Sequence, residues 1–68
     1  MPRVESAAIR SIDYEAADRI LFVTFADGDR YAYFGVPHAT FAAFLRADSK
    51  GRFFAEHIRD RFGYHLIR

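Results

Sequence analysis

The 68-residue chain contains no cysteine, so neither a disulfide nor a thiolate metal site is available to hold it together. Its apolar runs are only a few residues long, far short of the ~20 that a membrane-spanning helix needs. Residues 1–8 (MPRVESAA) carry one Arg and no apolar stretch, so no signal peptide is expected there. Repeats, low-complexity segments and linkers are also missing. One small soluble domain is therefore expected, with the cytoplasm as its setting and no membrane partner. Catalytic patterns are equally scarce. His38, His57 and His65 are the three imidazoles, and none has a second His, Cys or carboxylate at the spacing of HxxxH or HExxH. Ser6, Ser11 and Ser49 lie outside any GxSxG context. His57 and Asp60 stand three apart, a common chance arrangement that does not by itself make an acid–base pair. No enzyme activity, metal or cofactor is expected.

What the chain has in excess is aromatic surface: eight Phe and four Tyr. Each buried ring removes roughly 150–250 Å² from water, at about 25 cal/mol per Å². That is how a domain near the lower size limit can build a core without staples. Charge is unevenly placed. Residues 1–45 carry four Arg against six acidic residues, a net −2, and residues 46–68 carry six basic against three acidic, a net +3. A basic half points to an anionic partner, and equally to a solvated helix face with mixed charges.

The first half of the chain alternates with period two. Ile9 to Tyr14 reads as a short strand. Arg19 to Phe25 (RILFVTF) is β-branched and aromatic, the strongest strand in the chain. Tyr31 to Phe34 reads as a third. Glu15–Asp18 and Ala26-Asp27-Gly28 connect them, and short connections favour an antiparallel meander. If Gly28 takes positive φ in a three-residue loop with a G1 bulge, Val23 opposes Tyr31 and Leu21 opposes Tyr33. One face then carries Leu21, Val23, Phe25, Tyr31, Tyr33 and Ile12. The other carries Ser11, Asp13, Thr24 and Arg30, with Ile20, Phe22 and Phe34 among them. A one-residue slip would exchange the faces.

The period changes after Val36-Pro37. Pro37 suits the first turn of a helix over Ala39–Ala47, with Phe41, Phe44 and Leu45 on one face. Asp48 or Ser49 caps a second helix, in which Phe54, Ile58 and Phe62 recur every fourth residue until Gly63. Tyr64 to Arg68 reads as a short tail. The expected fold is α+β: a three-stranded antiparallel meander followed by two helices packed on the more apolar sheet face.

The order Val4-x-Ser6, Ile9, Tyr14, Leu21-x-Val23-x-Phe25, Gly28, Tyr31-x-Tyr33, Val36-Pro37, Ser49-Lys50-Gly51, Phe53-Phe54 and Ile58-Arg59 resembles the KTSC domain family. That family occurs as stand-alone small bacterial proteins and at the C-terminus of some lysyl-tRNA synthetases. The resemblance covers nearly the whole chain, with Tyr31 and Tyr33 as the family's central Tyr-x-Tyr and Phe34 as a departure beside it. It implies an RNA-binding role, with tRNA-like RNA as the partner.

Two readings stand for each candidate residue. Tyr31 and Tyr33 are either a base-stacking platform or core rings with their phenols at the rim; the register favours the core. Ser49-Lys50-Gly51-Arg52 is either an ordinary N-cap or a phosphate site at a helix start, with Lys50 and Arg52 adding charge. Arg59 and Arg61, with Arg46, either extend that basic surface or pair with local carboxylates, Glu56–Arg59 being the natural i, i+3 pair. Phe22 and Phe34 beside Arg30 form either a docking patch or a buried edge. The expectation is a binding module for RNA through Lys50, Arg52 and Arg59, with Tyr31 and Tyr33 as possible stacking groups and the start of the second helix as the better-placed site. The alternative is a protein-interaction module, self-associating or not, that uses the open sheet face.

Overall fold

The computed structural model describes residues 9–67, so the reading of residues 1–8, the Val4 and Ser6 positions and Arg68 lie outside the described residues. The first half folds as its period-two pattern predicts. Strands β1 (Ile9–Glu15), β2 (Ile20–Phe25) and β3 (Arg30–Tyr33) form consecutive antiparallel pairs. The β2–β3 register places Leu21 opposite Tyr33 and Val23 opposite Tyr31. The loop is the cause. Gly28 has φ +98°, its N–H donates to the Phe25 carbonyl at 2.9 Å, and the Phe25 N–H donates to the Asp29 carbonyl at 2.8 Å. Only glycine adopts that φ without steric cost.

Helix α1 (His38–Arg46) follows its N-cap Pro37, whose ψ of 149° keeps it extended just before the first helical turn. Helix α2 (Lys50–His57) starts at Ser49, whose side chain accepts a hydrogen bond from the Arg52 N–H at 3.2 Å. Both helices lie on the Leu21/Val23 face. Leu21, Val23, Val36, Phe44 and Ile58 are fully buried, with Phe54 and Tyr33 joining them. Phe41 stacks on Tyr14 at 4.5 Å and Phe44 on Phe53 at 5.3 Å between ring centroids. The Tyr14 hydroxyl donates to the Val36 carbonyl at 2.6 Å, tying β1 to the turn before α1.

The structure departs from expectation in three places. The sheet has four strands. Tyr64–Ile67 is a strand, β4, which returns after the helices and pairs antiparallel with β3, giving the order β1-β2-β3-β4. Without it the backbone N–H and C=O groups along the outer edge of β3 would lack partners, and pairing with the returning chain satisfies them. Second, α2 ends at His57 rather than running to Gly63. The N–H groups of Ile58 and Arg59 both donate to the Phe54 carbonyl, which closes the helix one and a half turns early. Phe62 still packs on the core, from the turn beyond the helix. Third, Leu45 is 49 % exposed. It lies about 100° around the helix from Phe44, and only Phe41 and Phe44 reach the sheet side.

The open face carries the residues assigned to it. Arg30 lies 4.7 Å over the Phe22 ring and 3.9 Å from the Asp13 carboxylate. Phe34, just past β3, is 45 % exposed.

A tyrosine-lined cleft as the candidate functional site

The early end of α2 and the addition of β4 together open a cleft of about 610 Å³ on the helix side of the sheet. Its floor is β3. Tyr31 and Tyr33 alternate onto that face because their registers match Val23 and Leu21. Phe25 and Phe54 close one side, with rings edge-on at 5.4 Å. Tyr64 stands on the other side, opposite Tyr33 in the β3–β4 ladder, 5.6 Å from its ring and 5.7 Å from that of Tyr31. The hairpin turn contributes Asp27 and Asp29, and the segment after α2 contributes Arg59 and Asp60.

Tyr33 holds two positions at once. It is 3 % exposed and packs edge-on against Phe54 at 5.5 Å, which makes it part of the core. It also lines the cleft. Among the described residues no protein group hydrogen-bonds its hydroxyl. Its pKa is pushed up to about 12, first by burial, then by the neighbouring Tyr31 and Tyr64 hydroxyls and by Asp60, against a lowering from Arg59. The Tyr33 hydroxyl therefore stays protonated at neutral pH. Tyr31 is half-buried and Tyr64 is 60 % exposed. The cleft is thus graded, from a buried ring at the bottom to an exposed ring at the mouth.

Three of the five residues singled out from sequence, Tyr31, Tyr33 and Arg59, meet in this cleft. Lys50 and Arg52 do not line it. The Lys50 ammonium donates to the Ala47 carbonyl at 2.7 Å, and Gly51 is buried rather than open to a phosphate. The first turn of α2 is capped by its own Ser49. The natural Glu56–Arg59 pair is replaced. Arg59 lies beyond the helix, so the i, i+3 geometry is lost; its Nε sits 3.9 Å from Asp60, while Glu56 lies 3.9 Å from the His57 Nε2. His57 packs its ring on Phe53 at 4.6 Å. No group of three or more His, Cys, Asp or Glu that could hold a metal ion occurs among the described residues. Phe25, Phe54, Tyr64, Asp27, Asp29 and Asp60 were not singled out as site residues. The hairpin register was the available signal for Phe25 and Asp29, since it sets them side by side at the cleft edge.

The KTSC domain family model matches residues 5–62. A protein of Tsukamurella paurometabola is 40 % identical over 62 residues, covering 91 % of this chain and 92 % of its own length. An uncharacterised protein of Stutzerimonas stutzeri is 41 % identical over 51 residues, covering 75 % of this chain and 72 % of its own. The crystal structure of a KTSC domain protein from Yersinia pestis superposes with a TM-score of 0.87 at 38 % identity, over 98 % of this chain and 94 % of that one. With the Tyr31-x-Tyr33 pair at the centre of the fold, and with sequence and structure matched over most of its length, the chain belongs to the KTSC domain family.

Proposed function

We propose that the domain is a non-catalytic RNA-binding module that takes an unstacked base into the tyrosine cleft and a phosphate onto Arg59. The observation that carries this reading is the convergence of Tyr31, Tyr33 and Arg59 on one cleft. Single-stranded RNA is read by stacking on aromatic rings and by hydrogen bonds to base edges. A cleft of about 610 Å³ is in the range of ordinary ligand pockets and has room for a nucleotide. Arg59 supplies a guanidinium whose planar fork suits phosphate. Arg52, exposed on α2, adds positive charge on the helix that precedes Arg59. Lys50 is a minor contributor in this reading, because its ammonium is already engaged by the Ala47 carbonyl. A structured cytoplasmic RNA such as tRNA, with looped-out bases, is the expected partner.

The test is a salt series with a short structured RNA. Binding should weaken by about 0.7–0.9 log units per log salt for each phosphate contact. Arg59→Glu should reduce affinity more than Lys50→Glu. Binding that is absent at low salt, or indifferent to salt, ends this reading.

The open sheet face supports a second reading, contact with protein or with another copy of the chain. Phe34 is 45 % and Ile67 37 % exposed, and Ile67 pairs with Arg30, which lies over Phe22.

A further inference from the structure

The groups lining the cleft are not neutral. Arg59 contributes one positive charge, and Asp27, Asp29 and Asp60 contribute three negative ones. Such a lining confines a phosphate to the exposed Arg59 at the rim while leaving an uncharged base free to enter. It also restricts which base is welcome. An ionised carboxylate has two oxygens and can only accept hydrogen bonds. The carboxylates differ in how committed they are. The Asp27 Oδ1 already accepts from the Asp29 N–H at 3.0 Å. Asp60 sits 3.9 Å from Arg59. The Asp29 carboxylate has neither a hydrogen bond nor an ion pair among the described residues.

We infer that the cleft selects guanine, with the Asp29 carboxylate accepting the two adjacent donors of its Watson–Crick edge and the free Tyr33 hydroxyl serving a polar atom of the stacked base. This deepens the RNA reading and rests on it. Guanine alone among the four bases presents two neighbouring N–H donors on that edge, at N1 and N2. Adenine and cytosine set a single donor beside an acceptor nitrogen, which would face a carboxylate oxygen and repel it. Uracil flanks its one donor with two acceptors. The second, independent feature is the Tyr33 hydroxyl. It belongs to a side chain that is 3 % exposed, it lines the cleft, and no protein group among the described residues satisfies it. Although the ring is buried, the hydroxyl itself reaches the cleft surface, where a ligand can replace the water it would otherwise bind.

Short single-stranded oligoribonucleotides that differ in one base, guanine, inosine, adenine, cytosine or uracil, supply the probes. The chain has no tryptophan and four tyrosines, of which Tyr31, Tyr33 and Tyr64 line the cleft. Intrinsic tyrosine fluorescence and tyrosine ring NMR signals therefore report on this site. The guanine oligomer should bind about tenfold or more tighter than the uracil one, in keeping with a two-bond contact to a base edge. Inosine, which lacks the N2 amine, should fall between. Asp29→Ala removes an exposed side chain and leaves the carbonyl that the hairpin uses; Asp29→Asn preserves the size of the side chain and serves as the folding control. Asp29→Ala should weaken the guanine oligomer and tighten the uracil one, because a repulsive charge has gone. Equal affinity for all five oligomers overturns the guanine assignment while leaving the RNA reading standing. Asp29→Ala tightening guanine and uracil alike also overturns it, since Asp29 would then act through charge alone. Failure of every oligomer and of structured RNA to bind at low salt removes the RNA reading and this inference with it.

Discussion

Tyr33 separates the structural role of the cleft from the binding role proposed for it. Its ring is core: 3 % exposed, opposite Leu21 in the sheet and edge-on to Phe54. Truncating a buried aromatic ring to alanine costs about 3–5 kcal/mol. A domain of this size has only about 3–10 kcal/mol of total stability. Tyr33→Ala should therefore be partly or wholly unfolded at room temperature. Tyr33→Phe is a different experiment. It keeps the ring and removes only a hydroxyl that has no protein partner among the described residues. Its cost should stay within about 1 kcal/mol of zero, and it can be stabilising, because no intramolecular bond is broken. The same variant should still lose affinity for a ligand that pairs with the hydroxyl. A pH dependence follows as well. The folded pKa is raised from 10.0 to about 12. The unfolded chain thus releases this proton first, and the stability it contributes is complete below pH 10 and lost as pH rises toward 12. By pH 11 the loss is at most about 1.4 kcal/mol, and solvent screening at a hydroxyl that reaches the cleft surface reduces it. Tyr33→Phe lacks that term, so denaturant melts of the two proteins should diverge between pH 9 and 11, with the wild type falling faster. If Tyr33→Phe proves as damaging as Tyr33→Ala, the hydroxyl has a structural partner and the reasoning fails. If Tyr33→Ala folds with nearly full stability, the ring is not core.

Two other outcomes can be checked independently. Arg19 has φ +56°, a left-handed conformation that costs a side-chain-bearing residue roughly 1–2 kcal/mol, and its carbonyl is held in place by the Val36 N–H at 3.0 Å. Arg19→Gly should raise stability by about 0.5–1 kcal/mol after the entropy of the freer unfolded chain is deducted, or a few degrees in thermal midpoint; an unchanged or lower midpoint would show that the side chain does more than strain the turn. If the open sheet face mediates self-association, sedimentation at high concentration should show a dimer that Phe34→Ser disperses, and a strict monomer would exclude that use of the face.

Much of this fold was legible before any coordinates, because the hairpin loop leaves little choice. Ala26-Asp27-Gly28 forces one register, and that register puts Leu21, Val23, Tyr31 and Tyr33 on the helix side. Local chemistry is decisive there, and it can be read from three residues. The cleft was not legible in the same way. It depends on α2 stopping at His57, although Phe54, Ile58 and Phe62 keep a helical spacing beyond that point. The spacing is real, but Phe62 reaches the core from a turn. The cleft also depends on β4, whose Tyr64-His65-Leu66-Ile67 has too few residues to reveal a strand by alternation. What makes it a strand is the open edge of β3, a tertiary demand that no local pattern reports. The Glu56–Arg59 pair was misread for the same reason as the helix end, because i, i+3 spacing has no meaning once the backbone has left the helix.

The placement of the cleft follows from the size of the chain. A larger protein can build its core in one place and its binding site in another. With so few residues there is one layer of aromatic side chains between helices and sheet, and the cleft is where that layer reaches the surface. Tyr33, Phe54 and Phe25 serve the core with one side of their rings and line the cleft with another. Under the proposed RNA reading, binding and folding are coupled by construction. A ligand held at a hundred times its dissociation constant would add about 2.7 kcal/mol, a sizeable fraction of what holds so small a domain together. Under that reading, ligand preference would be constrained at the floor, where changing Tyr33 endangers the fold, and free at the rim, where Asp27, Asp29, Arg59 and Asp60 are exposed. If the cleft binds RNA as proposed, specificity should therefore reside in its rim residues and affinity in its tyrosines.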